Sequence, residues 1–235
     1  MLPRLTTLAK LFAADYWIVL DDVQFTRRDY QHRARLASVS HPGRRQWLSI
    51  PTRLPRGRST LIRDAVLIDP ERSRRRVMHM LAQHYGRCTD WPLLRRELDS
   101  MLVQFGRTDK IADVAEASTR VLLNLLGWKG RILYSSRLPA RSERSQRLAD
   151  LAAVTRARGY LCGTGGMRYL EAGPFAARGI AVVTFRTQTT RLWEGGRDVS
   201  AVHPLMVYGI RAVTEELRVV AARYHALRLA HWPVA

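Results

Sequence analysis

Two adjacent carboxylates and a cluster of guanidiniums lie close together near the start of this chain. Asp21 and Asp22 follow a short apolar run, and Arg27, Arg33 and Arg35 come soon afterwards. In an open α/β sheet, ligands bind at the carboxyl ends of the strands. Carboxylates at such an end can act as a general base or bind a metal ion, while the arginines hold phosphates. The same spacing also fits carboxylates that end a strand and pair with neighbouring arginines.

Two later segments carry polar groups of the same kind. Ser135 and Ser136 precede a basic loop, and hydroxyls beside arginines suit an oxyanion or a phosphate. The turn Gly163–Gly166 lets a ligand approach the backbone, and a helix predicted over Met167–Glu171 would offer it free N–H groups. The turn matches neither a Walker loop nor a dinucleotide fingerprint. Serine turns and tight strand–helix turns are the structural alternatives.

Cysteine and histidine give weaker signals. Cys162 directly precedes the glycine turn, where a thiolate would be reactive, although a small buried residue explains it as well. The two cysteines are far apart, which favours a reduced, cytoplasmic protein without a disulfide framework. No histidine pair has the spacing of a zinc site. We therefore assign no metal ligands, and the cofactor stays unknown.

The net charge is the most unusual bulk property. Lys and Arg number 39 against 20 Asp and Glu, so the formal charge is +19, and nearly all of the cations are arginine. Such a charge favours a polyanionic partner, either nucleic acid, anionic lipid or a phosphate-bearing substrate. A diffuse basic surface that binds weakly is the alternative. The basic residues are concentrated over Arg27–Arg76 and Arg137–Arg147.

The first half of the chain changes from strand-like to helical patterns at Pro70. Trp17–Asp21 reads as a buried strand, and Arg45–Pro51 alternates like a half-buried strand, for which Ile62–Asp69 is a plausible partner. Asp69 and Pro70 are a good N-cap and first helical position. We predict further helices over Pro92–Phe105 and Lys110–Leu126.

The second half alternates strands with helices, which predicts right-handed crossovers and a parallel sheet. We predict an α/β fold with a mostly parallel sheet, flanking helices, a small β-hairpin and a helical insertion at about 70–127, within one domain over 1–235. No apolar run is long enough to span a membrane. The predicted elements are strands at Arg131–Tyr134, Gly159–Cys162 and Ile180–Phe185, and helices at Glu143–Arg158 and Val213–Leu229.

An ordered set of short segments resembles the WbqC-like family of bacterial proteins. The resemblance spans roughly residues 2 to 210. The segments that carry it are Leu20–Phe25, His32–Leu36, Gln46–Pro51, Ile62–Asp64, His79 with Tyr85, Ser135–Ser136, Ser145–Leu148 and Tyr160–Leu170. Family members usually open with a strand that ends in a His-Gln-Pro-Asn-Tyr type motif. Met1 stands where that motif finishes, so we expect the first family strand to be missing.

The resemblance implies a setting in surface-polysaccharide or specialised-metabolite biosynthesis. Our first hypothesis is therefore a cytoplasmic transferase that acts on a nucleotide-linked amino sugar or on an activated acyl or aminoacyl donor. The candidate catalytic residues are Asp21, Asp22 and, from the resemblance, His79. The candidate substrate- and phosphate-binding residues are Gln24, Arg27, Arg33, Arg35, Ser135, Ser136, Arg147, Gly163, Gly165, Gly166 and Tyr169.

Two alternatives stay open. The charge also suits an RNA-binding protein, or an enzyme that takes an aminoacyl group from tRNA, although no known RNA-binding module is present. A missing strand would leave a sheet edge exposed, which suits a homodimer or a non-catalytic assembly partner of a biosynthetic complex.

Overall fold

The structure is a computed structural model that describes residues 1–41 and 43–230, with side chains through residue 226. The chain forms two compact units, each built from three separate segments. Unit 1 contains Met1–Leu8, Asp21–Lys129 and Thr189–Glu216. Unit 2 contains Ala9–Leu20, Gly130–Gln188 and the chain from Leu217 onward.

Short strands and longer helices confirm the α/β class. The strands are β1 (Tyr16–Val19), β2 (Arg33–Ala37), β3 (Arg45–Ser49), β4 (Thr52–Arg53), β5 (Val66–Leu67), β6 (Arg131–Tyr134), β7 (Gly159–Gly163) and β8 (Ala181–Phe185). The helices are α1 (Leu5–Phe12), α2 (Pro70–Tyr85), α3 (Trp91–Leu102), α4 (Gln104–Arg107), α5 (Ile111–Leu125), α6 (Arg144–Val154), α7 (Gly173–Ala176), α8 (Val202–Tyr208) and α9 (Ile210–Ala230).

Unit 2 holds two parallel strand pairs, of which β7 with β8 follows from the alternating pattern of the second half. β1 pairs with β6, and the last residues of the two strands, Val19 and Tyr134, face each other in the register. β7 pairs with β8 in the same sense. Helices α6 and α7 contribute Ala149, Ala152 and Phe175 to a buried cluster beside β7. All four residues of β1 are half-buried, so the prediction of a fully buried strand there is wrong.

Unit 1 contains the predicted β-hairpin, but with different partners. β3 pairs antiparallel with β2, so that Trp47 faces Arg35, and β4 pairs with β5. The expected partner at Ile62–Asp69 is wrong because its first part forms a 3-10 turn, which leaves only Val66–Leu67 extended. A hydrogen bond from the Ser38 N–H to the Arg44 carbonyl at 3.1 Å continues this local pairing beyond the ends of β2 and β3.

Helices α2 to α5 occupy the region of the predicted insertion. Asp69 caps α2 by accepting a 3.0 Å hydrogen bond from the Arg72 backbone N–H, with Pro70 at the first position. The predicted helix over Pro92–Phe105 is two helices in the structure, because a turn at Val103 interrupts the helix between α3 and α4. In the part of the chain that the structure describes, no helix has the length and apolarity to cross a bilayer.

Candidate functional site

The acidic segment of unit 1 is held in place by the basic loop that follows β4. The Arg63 N–H donates to the Asp21 carbonyl at 2.8 Å, and the Ile62 N–H donates to the Val23 carbonyl at 2.9 Å. The Gln24 side chain donates to the Arg58 carbonyl at 2.7 Å. These hydrogen bonds hold the backbone of Asp21 to Gln24 in place and so fix the positions of the Cα atoms that carry the two carboxylates.

The two carboxylates differ in accessibility. Asp21 is 8% exposed, whereas Asp22 is half-buried. A general base must reach the proton that it removes. Asp22 is therefore the better placed of the two for direct contact with a substrate, and the buried Asp21 is better suited to support it.

Guanidiniums of unit 1 are fixed by backbone carbonyls. Arg27 Nη1 donates to the Thr52 carbonyl at 3.3 Å, and Arg33 Nε donates to the Asp29 carbonyl at 3.1 Å. Arg33 Nη2 also donates to the Arg28 carbonyl. Carbonyls orient a guanidinium without neutralising its charge, so these groups stay ready to bind an anion.

The guanidiniums of Arg27, Arg33 and Arg35 also lack carboxylate partners within the described ranges. No ion pair to a carboxylate involves any of them there. This arrangement argues against the alternative in which these particular arginines serve to neutralise nearby acids.

His32 lies between these arginines in sequence and has an unusual environment. Its ring centroid is 5.3 Å from that of Phe25, and its buried Nδ1 has no hydrogen-bond partner among the described residues. Burial, with the charges of Arg33 and Arg27, lowers the pKa of His32 to about 4. The ring is therefore neutral at pH 7 and adds no positive charge to this surface.

The histidine cluster of unit 1 was missed by the sequence analysis. His79 is exposed on α2, while His84 Nε2 lies 3.1 Å from Gln46 Oε1. The Tyr85 ring lies 5.8 Å from His84 and 6.3 Å from His203. Burial lowers the pKa of both His84 and His203. No sequence spacing links His203 on α8 to α2, so only the fold brings these rings together.

The Tyr85 hydroxyl is the most confined polar atom of this cluster. Tyr85 is fully buried, and burial raises the pKa of its hydroxyl. The Ala37 backbone opposes this shift and lowers the pKa, but within the described part of the chain the hydroxyl has no partner at ordinary hydrogen-bond distance and angle. A buried hydroxyl without a partner costs stability, so this group fills space rather than serving as an anchor.

In unit 2, the serine pair and the glycine turn follow parallel strands. Ser135 is buried and Ser136 is half-buried in a 3-10 turn directly after β6. A Cβ added to Gly163 or Gly165 would meet open space, and neither residue has positive φ, so folding does not require glycine there. Gly166 differs because its Cβ would lie 2.8 Å from Cys162 Sγ.

The glycine turn leads into a short element rather than the predicted helix. Only Gly166–Arg168 is helical, as a single 3-10 turn, so the expected helix over Met167–Glu171 is wrong. Burial raises the pKa of the Cys162 thiol. A raised thiol pKa disfavours the nucleophilic thiolate, so Cys162 acts as a small buried residue that packs against the turn.

Arg147 and Tyr169 lie on either side of a link between α6 and the segment after the turn. Arg147 is half-buried on α6, and Tyr169 is 62% exposed with the Arg144 guanidinium 5.0 Å from its ring centroid. Ser145 Oγ accepts a 3.0 Å hydrogen bond from the Glu171 N–H. This bond fixes the chain that presents Tyr169.

A charged network of unit 2, absent from the sequence predictions, is structural. Arg141 binds Asp150 through Nε at 2.9 Å and Nη2 at 2.8 Å, and Arg178 Nη2 binds the same carboxylate. With its amide oxygen turned toward them, Gln146 accepts from both guanidiniums. Burial alone would raise the pKa of Asp150, but the hydrogen bonds and charge of Arg141 hold it below its usual value.

The predicted site residues thus divide between the two units. Those in unit 1 are Asp21, Asp22, Gln24, Arg27, Arg33, Arg35 and His79. Those in unit 2 are Ser135, Ser136, Arg147, Gly163, Gly165, Gly166 and Tyr169. No group of three or more His, Cys, Asp or Glu side chains in the described ranges is arranged to hold a metal ion.

The chain belongs to the WbqC-like protein family, whose sequence profile matches residues 1–214. The resemblance found in the sequence is confirmed by this match. The family is associated with biosynthesis. Among curated proteins and among solved structures, none matches the chain.

Proposed function

We propose that this WbqC-like protein is a biosynthetic transferase that acts on a phosphate-bearing substrate. The observation that carries the proposal is the set of carbonyl-anchored, carboxylate-free guanidiniums that follows the Asp21–Asp22 pair. Such groups bind phosphate by charge-assisted hydrogen bonds without first having to break an internal ion pair. The candidate substrates are a nucleotide-linked amino sugar and an activated acyl or aminoacyl donor.

The proposed chemistry divides binding from proton transfer. Arg27, Arg33 and Arg35 hold the phosphates of the donor. Asp22 acts as the general base and accepts the proton of the attacking hydroxyl or amine as the new bond forms. The bond between the transferred group and the activating group breaks, and its electron pair leaves with the activating group. Asp21, which is buried, supports the position of Asp22.

The unit 2 candidates are proposed as a separate set of substrate contacts. Gly163 and Gly165 have no folding reason to be glycine, so close approach of a ligand to the backbone is a sufficient reason for them. Ser135, Ser136 and Arg147 supply hydroxyl and guanidinium donors in the same unit. We also propose that the two units fold together as one domain.

The test is donor binding and donor turnover by the purified chain. UDP-N-acetylglucosamine and acetyl coenzyme A are titrated by calorimetry, and their breakdown or transfer to amine and hydroxyl acceptors is followed by mass spectrometry. We expect Asp22→Asn to bind the donor normally but to lose about 100-fold or more in turnover. Asp99→Asn, which changes an exposed carboxylate on α3, is the matched control.

Removal of the anchored cations tests the binding half of the proposal. Arg33→Ala is expected to weaken donor binding about tenfold, since a charged hydrogen bond contributes on the order of 1.5 kcal/mol. Arg95→Ala removes the same charge from the exposed face of α3 and should bind the donor like the natural chain. Undiminished turnover by Asp22→Asn, or equal losses in the two arginine variants, would refute the assigned roles.

A further inference from the structure

A half-buried array of guanidiniums and rings, in which Trp47 is exposed, lies on the face of unit 1 that β2 and β3 share. The ring centroids of Tyr30 and Trp47 are 5.5 Å apart. The Arg4 guanidinium lies 4.3 Å from the Tyr30 centroid, and Arg33 lies 4.2 Å from the Trp47 centroid. Arg35 lies 5.7 Å from the same Trp47 ring. Two neighbouring rings are therefore flanked by guanidiniums on this surface, which we call the stacked surface.

The fold holds the stacked surface in position before any ligand binds. Antiparallel pairing places Arg35 opposite Trp47. Arg4 Nη1 donates to the Arg197 carbonyl at 3.0 Å, and the Tyr30 hydroxyl donates to the Asp198 carbonyl at 3.2 Å. Side chains that are already ordered lose less entropy on binding, so this surface is suited to recognition.

The charge of the stacked surface is not neutralised by the protein. In the part of the chain that the structure describes, Arg4, Arg33 and Arg35 make no ion pair with a carboxylate. The neighbouring Arg45, in contrast, pairs with Asp198 at 3.6 Å. Trp47 is 36% exposed despite its size. The surface thus combines accessible ring area with uncompensated positive charge.

These properties together select a partner with flat rings and regularly spaced anions. An acidic peptide would satisfy the arginines but offers few planar groups, and a neutral glycan would leave the guanidiniums without anions. Proteins that bind single strands combine a basic surface with aromatic rings on which bases stack. We infer that the stacked surface binds single-stranded nucleic acid, with bases on Trp47 and Tyr30 and phosphates on Arg4 and Arg35. The inference does not require the proposed transferase activity, although it shares Arg35 with the proposed donor site; Trp47, which has no role in donor binding, distinguishes the two proposals in the test.

The experiment measures, by fluorescence anisotropy across a salt series, the binding of a labelled single-stranded RNA. The strand has about twelve nucleotides, which is within the range that one single-strand-binding domain covers. DNA of the same sequence, the corresponding RNA duplex and heparin are measured in parallel. Variants are Trp47→Ala, Trp47→Phe and Arg35→Ala. The controls are Tyr208→Ala, an exposed tyrosine on α8 at 46% exposure, and Arg95→Ala on α3.

The aromatic and cationic contributions have separate signatures. Trp47→Ala should lose about tenfold in affinity for the single strand with an unchanged salt slope, because stacking releases no counterions. Trp47→Phe should retain most of the affinity. Arg35→Ala should weaken binding several-fold and reduce the salt slope by about one. Both controls should bind like the natural chain, and heparin binding should not respond to Trp47→Ala.

The results for each probe decide between the alternatives. Tighter binding of a single strand than of the duplex supports the inference, and the ratio of RNA to DNA affinity shows which type of strand is preferred. Unchanged single-strand binding by Trp47→Ala overturns it, because a charge-only surface would behave in this way. Equal losses for heparin and for the single strand also overturn it, and the Trp47→Phe variant shows whether the surface itself is intact.

Discussion

The pH dependence of stability near His32 offers a direct test of the electrostatics of unit 1. Burial, with Arg33 and Arg27, lowers the pKa of His32 from about 6.5 to about 4 in the folded chain. The unfolded chain then binds more protons than the folded chain between these two values. The free energy of unfolding must therefore be highest above pH 6.5 and must fall as the pH decreases toward 4.

The size of this effect follows from the two pKa values. Each pH unit in the window costs at most about 1.4 kcal/mol, so acidification from pH 7.5 to pH 5 removes about 2 kcal/mol if the full difference applies. Partial exposure of the ring reduces this figure, and we expect about 1–2 kcal/mol. For a domain with a total stability of about 5–15 kcal/mol, the loss is readily measured.

The assay measures the free energy of unfolding in urea for the natural chain and for His32→Gln, at about pH 7.5, 6.5, 5.5 and 5.0. Gln does not titrate, so the stability of the variant should fall less on acidification, by about 1–2 kcal/mol. His84 and His203 also have pKa values lowered by burial, and they contribute a slope common to both proteins. Parallel stability curves for the two proteins would refute the assigned environment of His32.

Further predictions concern packing, charge and cooperativity. Gly166→Ala should cost about 1–2 kcal/mol, because its Cβ would meet the buried thiol of β7, while Gly165→Ala should cost less than about 0.5 kcal/mol in urea unfolding. Tyr85→Phe should leave stability unchanged or raise it by up to about 1 kcal/mol, since the hydroxyl has no partner in the described chain; a loss larger than this would reveal one. Arg141→Ala should destabilise by about 1 kcal/mol through the loss of its bidentate bond, whereas Arg35→Ala should lower anion binding with little change in melting temperature. Calorimetry should show one unfolding transition, because the segments of the two units alternate along the chain; two separated transitions would contradict a single domain.

Elements with strong local signals were predictable from the sequence. The cap and proline at Asp69 and Pro70 placed the start of α2 correctly, and the apolar run Arg131–Tyr134 is strand β6. The alternation of strands and helices in the second half predicted the parallel pairing of β7 with β8. Each of these signals depends on neighbouring residues, which is why the sequence is sufficient for them.

Features that depend on distant partners were not predictable. The half-burial of β1 and its pairing with the distant β6 are decided by tertiary packing. The candidate site also depends in part on tertiary structure. The sequence identifies the glycine turn, but only the position of Cys162 Sγ shows that a side chain is excluded at Gly166 and tolerated at Gly165. The contact between Arg4 and Tyr30 could not be predicted either, because only the folded structure brings these two residues together.

The excess positive charge resolves into two chemically different groups of arginine. Arg141 and Arg178 converge on Asp150, so half of their combined charge is neutralised within the protein. Arg33 is instead oriented by carbonyls and by a ring, which satisfy its donors without cancelling its charge. Only the second kind of arginine attracts an external anion at no cost to internal pairing. A large net charge therefore says little about function by itself, while the identity of the group that holds each guanidinium indicates where an anionic partner binds.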